Sequence, residues 1–248
     1  MARLRRSPAL WLLLAAAVAL AAHVAAEVFT VSSTADNGPG SLRDAIAQAN
    51  ARPGADEVIF DPALAGQPIV LTTDQLTVTD HLTLTGLGQD LLTIERAATA
   101  PAFRIFEIDD GTAAHIQVQL SGMKIVHGLA YSRPGSSEDA LGGGLLNAED
   151  LVIESTTLFG NTAQNTETGD NEDAFAFGGA IFNSGVLTLG NSTITVNSVS
   201  ASCLAYCRAH GRGGGISNTD AGQVTLRNTT VTAWTYPDLV DSRLSSSS

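Results

Sequence analysis

Leu82-Thr-Leu-Thr-Gly86, Val118-Gln-Leu-Ser-Gly122, Leu151-Val-Ile-Glu-Ser155, Leu187-Thr-Leu-Gly-Asn191 and Val224-Thr-Leu-Arg-Asn228 follow one pattern: apolar residues first and third, then a small or amide residue fifth. Their starts lie 36, 33, 36 and 37 residues apart. A second apolar anchor, Ile125, Leu158, Ile194 or Val231, follows the start of each of the last four phrases by seven residues. Ahead of the last three stands a glycine marker: Gly142-Gly-Gly-Leu-Leu-Asn147, Gly178-Gly-Ala-Ile-Phe-Asn183 and Gly213-Gly-Gly-Ile-Ser-Asn218. Apolar and polar residues alternating over short runs, bounded by Gly and Asn, mark half-buried strands, and a fixed period makes each run one rung of a solenoid. No rung buries its inner face alone. Stacking rungs about 4.8 Å apart pairs their backbones and sets Leu on Leu along a continuous core. The pattern predicts an all-β parallel β-helix over residues 67–236.

The same stacking gives the amides a role. Asn147, Asn183 and Asn218 recur in step and are predicted to hydrogen-bond to one another along the axis. Asn191 and Asn228 are expected to form a second ladder. Both also open N-x-S/T sequons, but the ladder accounts for their register. A coil of this kind needs roughly 20 to 25 residues, so the longer period leaves about a dozen over. The surplus falls at Tyr131 to Leu141, Thr162 to Phe177 and Ser198 to Arg212, always between the second strand and the next glycine marker. Insertions at one repeat position emerge on one face, and such faces often bind. Tyr131, Arg133, Asp170, Glu172 and Asp173 are therefore the candidate binding residues, carried on loops.

Composition fits a single domain: 248 residues, 44% hydrophobic, with 24 glycines and 5% aromatics, suit a narrow aliphatic core. Residues 1–26 combine Arg3, Arg5 and Arg6, an apolar run from Leu10 to Ala22 and the small residues Val24-Ala25-Ala26, the plan of a cleaved signal peptide. The competing reading is a retained anchor, for which the run is shorter than the roughly 20 residues a span needs. No later segment is long and apolar enough to span. Cleavage removes three of 13 basic residues and none of 25 acidic ones, leaving −15. Such a charge excludes nucleic acid as a partner and disfavours anionic lipid. Export also places Cys203 and Cys207 in an oxidising compartment, where a local disulfide clasp is expected. A metal pair with His210 lacks further ligands, and free thiols are the remaining option.

Residues 27–66 read as an N-terminal cap. Ser41-Leu-Arg-Asp44 forms a capping box for a helix to about Asn50, with Leu42, Ala45, Ile46 and Ala49 on its inner side. Arg43 is expected in a cap salt bridge. The stretch Phe29-Thr-Val-Ser-Ser-Thr-Ala-Asp-Asn-Gly-Pro-Gly-Ser-Leu-Arg-Asp-Ala-Ile-Ala-Gln-Ala-Asn50 resembles the N-terminal module of bacterial surface proteins with a CSLREA-type domain. The coils downstream, Gly178-Gly-Ala-Ile181 above all, look like repeats of chlamydial-type polymorphic outer membrane proteins. Two departures weaken the transfer of an adhesin role. Gly40-Ser41 replaces the cysteine that opens the CSLREA motif, and the Phe-x-x-Asn partner of the chlamydial repeat is not kept. The resemblance implies a right-handed parallel β-helix with an N-terminal capping helix, exported to the cell surface or medium. Members often carry a C-terminal anchor, so residues 237–248 are read as a flexible tail or a truncated end, with envelope attachment through a region beyond it.

Chemistry is harder to read. Asp109-Asp110 sits at a glycine turn and is expected to nucleate it. Asp170, Glu172 and Asp173 could offer oxygens to calcium, yet lack the register of an EF-hand loop, so no metal and no cofactor are expected. Lys124 and His127 show no acidic companion on neighbouring rungs, and His115 and His210 stand isolated. The expectation is a secreted or surface-exposed, non-catalytic protein that is adhesive, glycan-binding or structural. The alternative is a pectate lyase-like polysaccharide lyase or hydrolase.

Overall fold

The structure is a computed structural model that describes residues 26–133, 138–168, 173–203, 208–233 and 244–246. All but the last residue of the expected signal segment lie outside these, as do Asp170, Glu172 and Cys207. Parallel strands wind into a β-solenoid with three faces. The first is an eight-stranded sheet of Val28–Val31, Asp56–Phe60, Leu82–Thr85, Gln117–Ser121, Asp150–Glu154, Val186–Gly190, Gln223–Arg227 and Leu244–Ser246. The second stacks Ile69–Leu71, Thr93–Arg96, Lys124–Val126, Thr157–Phe159, Thr193–Cys203 and Thr230–Ala233. The third is five-stranded, from Leu76–Val78 through Phe106–Ile108, Leu145–Asn147 and Ile181–Asn183 to Ile216–Asn218.

The five repeat phrases lie in register, Leu82 opposite Val118, then Leu151, Leu187 and Val224. The short 33-residue step is therefore absorbed in a connection rather than by a slip, which would turn every inward leucine outward. Leu84, Leu120, Ile153 and Leu189 from the first face meet Ile94, Ile125, Leu158 and Ile194 from the second and Phe106, Leu145 and Ile181 from the third. All are fully buried in one core.

Polar ladders hold the corners. Between the first and second faces, Gly122, Ser155, Asn191 and Asn228 all take positive φ, from 47° to 65°. That conformation is cheap for glycine and tolerated by asparagine, which explains the small or amide residue closing the last four phrases, whereas at Gly86 a Cβ would meet Gly122 O at 2.2 Å. Asn228 donates to Asn191 at 3.3 Å, in the open. Between the third and first faces, Asn147 donates to Asn183 Oδ1 and Asn183 to Asn218 Oδ1, each at 2.7 Å. Each also caps a turn carbonyl, of Glu149, Gly185 and Gly222 respectively. Buried amides with both ends engaged keep the rungs aligned where leucines alone would tolerate sliding.

The helix Leu42–Asn50 seals the N-terminal end with Leu42, Ala45, Ile46 and Ala49 buried. Ser41 accepts from Asp44 N–H, and the Asp44 carboxylate accepts from Gly40 N–H. Arg43 donates to the Gln75 and Asp74 carbonyls, both at 2.6 Å. Asn50 donates to Thr77 O and accepts from Thr79 N–H. These side chains occupy the hydrogen-bonding edge of the third face's first strand, which would otherwise lie open to pairing with another chain. Arg43 also pairs with Asp36 at 2.7 Å.

The second oxygen of Asp36 accepts from the amides and hydroxyls of Thr72 and Thr73. Burial raises the Asp36 pKa, but the Thr72 amide, Arg43 and the two hydroxyls outweigh it and hold the carboxyl at about 2, below its ordinary 3.8. A depressed carboxyl stabilises the fold above pH 3.8 and loses that contribution as pH falls through about 2. Urea denaturation is accordingly expected to show wild type more stable than Asp36→Asn at pH 6, with an acid-sensitive part of the gap, about 2 kcal/mol, vanishing toward pH 2. A gap that is constant with pH would contradict this.

Candidate functional site

The coil from Asp56 to its register partner Leu82 is the solenoid stripped of insertions. Of the four later coils, the last three carry the surplus residues, and these are not loops. Outgoing strands Leu129–Ser132, Thr162–Glu167 and the 198–203 part of Thr193–Cys203 pair in parallel. Returning strands Ala140–Leu141, Ala174–Phe177 and Ala209–Arg212 form a three-stranded sheet beside them. Ala130, Ala140, Ala163 and Ala176 are buried between the two sheets, with Val199 and Ala201 against them. The result is a thin fin standing off the corner between the second and third faces, with its own small core. Stacking supplies the reason: segments inserted at one rung position have neighbours above and below, and parallel pairing satisfies backbone groups that irregular loops would leave to water.

The glycine markers form its neck. Gly142, Gly178 and Gly213 have φ of +62°, +68° and +66°. A Cβ on the following Gly143 would lie 2.3 Å from Thr162 O and 2.4 Å from Gly179 O, and one on Gly179 at the same distances from Gly214 O and Ser198 O. Outgoing and returning chains thus pass too closely for any side chain. Across the neck runs a ladder that the sequence reading missed. Asn161 donates to Asn197 Oδ1 at 3.0 Å and accepts from Gly128 N–H at 2.9 Å, with both asparagines fully buried. Their 36-residue spacing, equal to the repeat, was the available signal.

On the outer surface of the returning sheet, aromatic rings gather. Phe175 stacks on His210, centroids 5.4 Å apart and planes within 9°. Phe177 lies 6.1 Å from Phe175, and Phe182 at 6.5 Å from Phe177 carries the strip onto the third face. These rings are half-buried, so each keeps an accessible edge.

Of the expected binding residues, Tyr131 is exposed on the outgoing strand, opposite Gln164, and Arg133 is exposed just beyond it. Asp173 stands at the other sheet, where its carboxylate accepts from Arg208 N–H at 2.7 Å and ties two returning arms together. Asp170 and Glu172 lie outside the described residues. Cys203, at the end of its outgoing strand opposite Glu167, is disulfide-bonded; Cys207 lies outside the described residues.

The histidines have companions that the sequence reading did not assign. His115 Nδ1 is 2.9 Å from Asp150 Oδ1, and that hydrogen bond raises the imidazole pKa. His127 Nδ1 is 3.6 Å from Glu95 Oε2, on the preceding rung. His210 belongs to the aromatic strip. Asp109, Asp110 and Glu149 bring carboxylates together, but their oxygens accept from the amides of Gly111, Thr112, Asp110 and Ile116, as turn and corner supports do. Among the described residues no helix is long and apolar enough to cross a membrane.

Comparison with protein-family models and with curated proteins gives no match to this chain.

Gly179→Ala should collide with two carbonyl oxygens at the neck. Urea denaturation is expected to show a loss of about 2 kcal/mol or more, with protease cleavage within residues 162–177 preceding cleavage of the rod. Unchanged stability would remove the close-passage account of the glycine markers.

Proposed function

We propose that this chain is an exported or surface-exposed, non-catalytic rod that binds a glycan or other cell-surface ligand through its fin. One observation carries the reading: the strip of Phe175, Phe177, His210 and Phe182 on the side of an insertion that the rest of the solenoid does not need. Aromatic side chains present large apolar area on few rotatable bonds, so ordering them on binding costs little. Tyr131 and Arg133 add a phenol and a guanidinium on the opposite sheet. Three further points support the proposal: the signal-like N-terminus, the acidic balance that disfavours nucleic acid, and the resemblance to CSLREA-type and polymorphic outer membrane proteins. Attachment to an envelope would be the work of a separate region. Calcium forms no part of this reading.

A lyase or hydrolase is the second reading, and the pairs of His115 with Asp150 and His127 with Glu95 favour it, since imidazole beside carboxylate is a common acid–base unit. The two readings separate on a glycan panel. The first expects binding without turnover, weakened at least about tenfold, or about 1.4 kcal/mol, by Phe175→Ser with Phe177→Ser while the melting curve holds. Release of unsaturated or reducing sugar from uronic-acid polymers, with or without calcium, would overturn it in favour of the enzyme.

A further inference from the structure

The first face, away from the fin, carries a channel of about 380 Å³. Two rows of outward residues wall it. Along the leading edge stand Ala55, His81, Gln117, Asp150 and Val186, one per coil, and two residues on stand Thr83, Gln119, Val152 and Thr188. The inward-facing Leu82, Val118 and Leu151 leave their backbone as the floor between the rows.

We infer that this channel is a second binding site, for an uncharged, unbranched polysaccharide lying along the solenoid axis. The lining has the chemistry of that ligand. His81 Nδ1 accepts from Gln117 N–H at 2.9 Å, so the neutral ring carries its proton on Nε2. Gln119, Thr83 and Thr188 offer amide and hydroxyl groups, and Val152, 40% exposed between Gln119 and Thr188, is an apolar seat for the carbon face of a sugar ring. Asp150 is the one acidic residue among those lining the channel and no lysine or arginine stands there, while its carboxylate lies 2.9 Å from His115 Nδ1.

Polar groups repeat at the rung spacing of about 4.8 Å, comparable with one pyranose unit, and the walls run roughly 19 Å. A polymer with one hydroxyl pattern per ring meets this periodic wall in one register. Polyuronates would face the chain's net charge of −12 as well as Asp150.

Titration calorimetry of the full chain with cellohexaose, mannohexaose and xylohexaose tests the site, with oligogalacturonate and a glucosamine hexamer as charged controls. At least one neutral hexasaccharide is expected to bind, with affinity rising up to about the tetramer and then levelling, as the channel length requires. Gln119→Arg and, separately, Thr188→Arg lay a long side chain across the channel and should weaken binding at least about tenfold with an unchanged melting curve, whereas Gln48→Arg, exposed on the N-terminal helix and outside both surfaces, leaves it intact. The inference fails if no neutral hexasaccharide binds, if both arginine variants bind normally, or if a charged oligomer binds more tightly. Normal binding by both arginine variants would assign the sugar to another surface, such as the fin.

Discussion

Register is the constraint on which everything else depends. Parallel rungs with aliphatic inner faces are nearly degenerate to sliding along the strand, since leucine packs on isoleucine about as well in several alignments. The buried amides remove that freedom. Asn147 and Asn183 each engage a neighbouring amide and a turn carbonyl, so a slip would strand polar groups in the core, at about 1–3 kcal/mol each. Asn161 and Asn197 pair with each other and donate to the strand carbonyls of Ile125 and Leu158 where the fin departs. Ladders therefore sit at the corners where the chain changes direction and a register error would propagate.

With register fixed, insertions become structure. A dozen extra residues in one coil would be a loop; in three successive coils at one position they become two sheets. Alanine on the inner surfaces keeps the fin thin, and glycine at the neck lets outgoing and returning chains pass within the reach of a methyl group. The arrangement frees the outer surface from any role in the core, so Phe175, Phe177 and His210 owe their positions to the fin rather than to packing of the rod.

Much of this was legible in the sequence, and what was not has a common cause. The period located the strands of the first and second faces, the ladder at Asn147, Asn183 and Asn218 and the site of the surplus residues, because each repeats in step, while the inner side of the helix came from its three- and four-residue spacing. It did not show that the surplus would pair with itself, since Tyr131 to Leu141 and Thr162 to Phe177 differ in length and share only a Glu-Asp-Ala run. It also left His115 and His127 without partners: His115 was read as isolated, and Glu95 on the rung before His127 lies outside the repeat phrases that were aligned. In a solenoid the neighbour is one coil away. Asp150 follows His115 by 35 residues, and His127 follows Glu95 by 32. Sorting charged residues by the coil period rather than by local spacing would have found both contacts. The aromatic strip escaped for a related reason: Phe175 and His210 are also 35 residues apart and look unrelated until their strands are stacked.

The central claim is that buried side-chain amides lock the coils in register. Hydrogen exchange of asparagine side-chain amides, followed by nuclear magnetic resonance in assigned protein, tests it most directly. The account expects the Nδ2 protons of Asn147, Asn161, Asn183 and Asn197 to exchange only through opening of the rod, as slowly as the backbone amides of Leu151 and Leu187, while exposed Asn191 and Asn228 exchange at once. Rapid exchange of the buried four, with the backbone still protected, would contradict it.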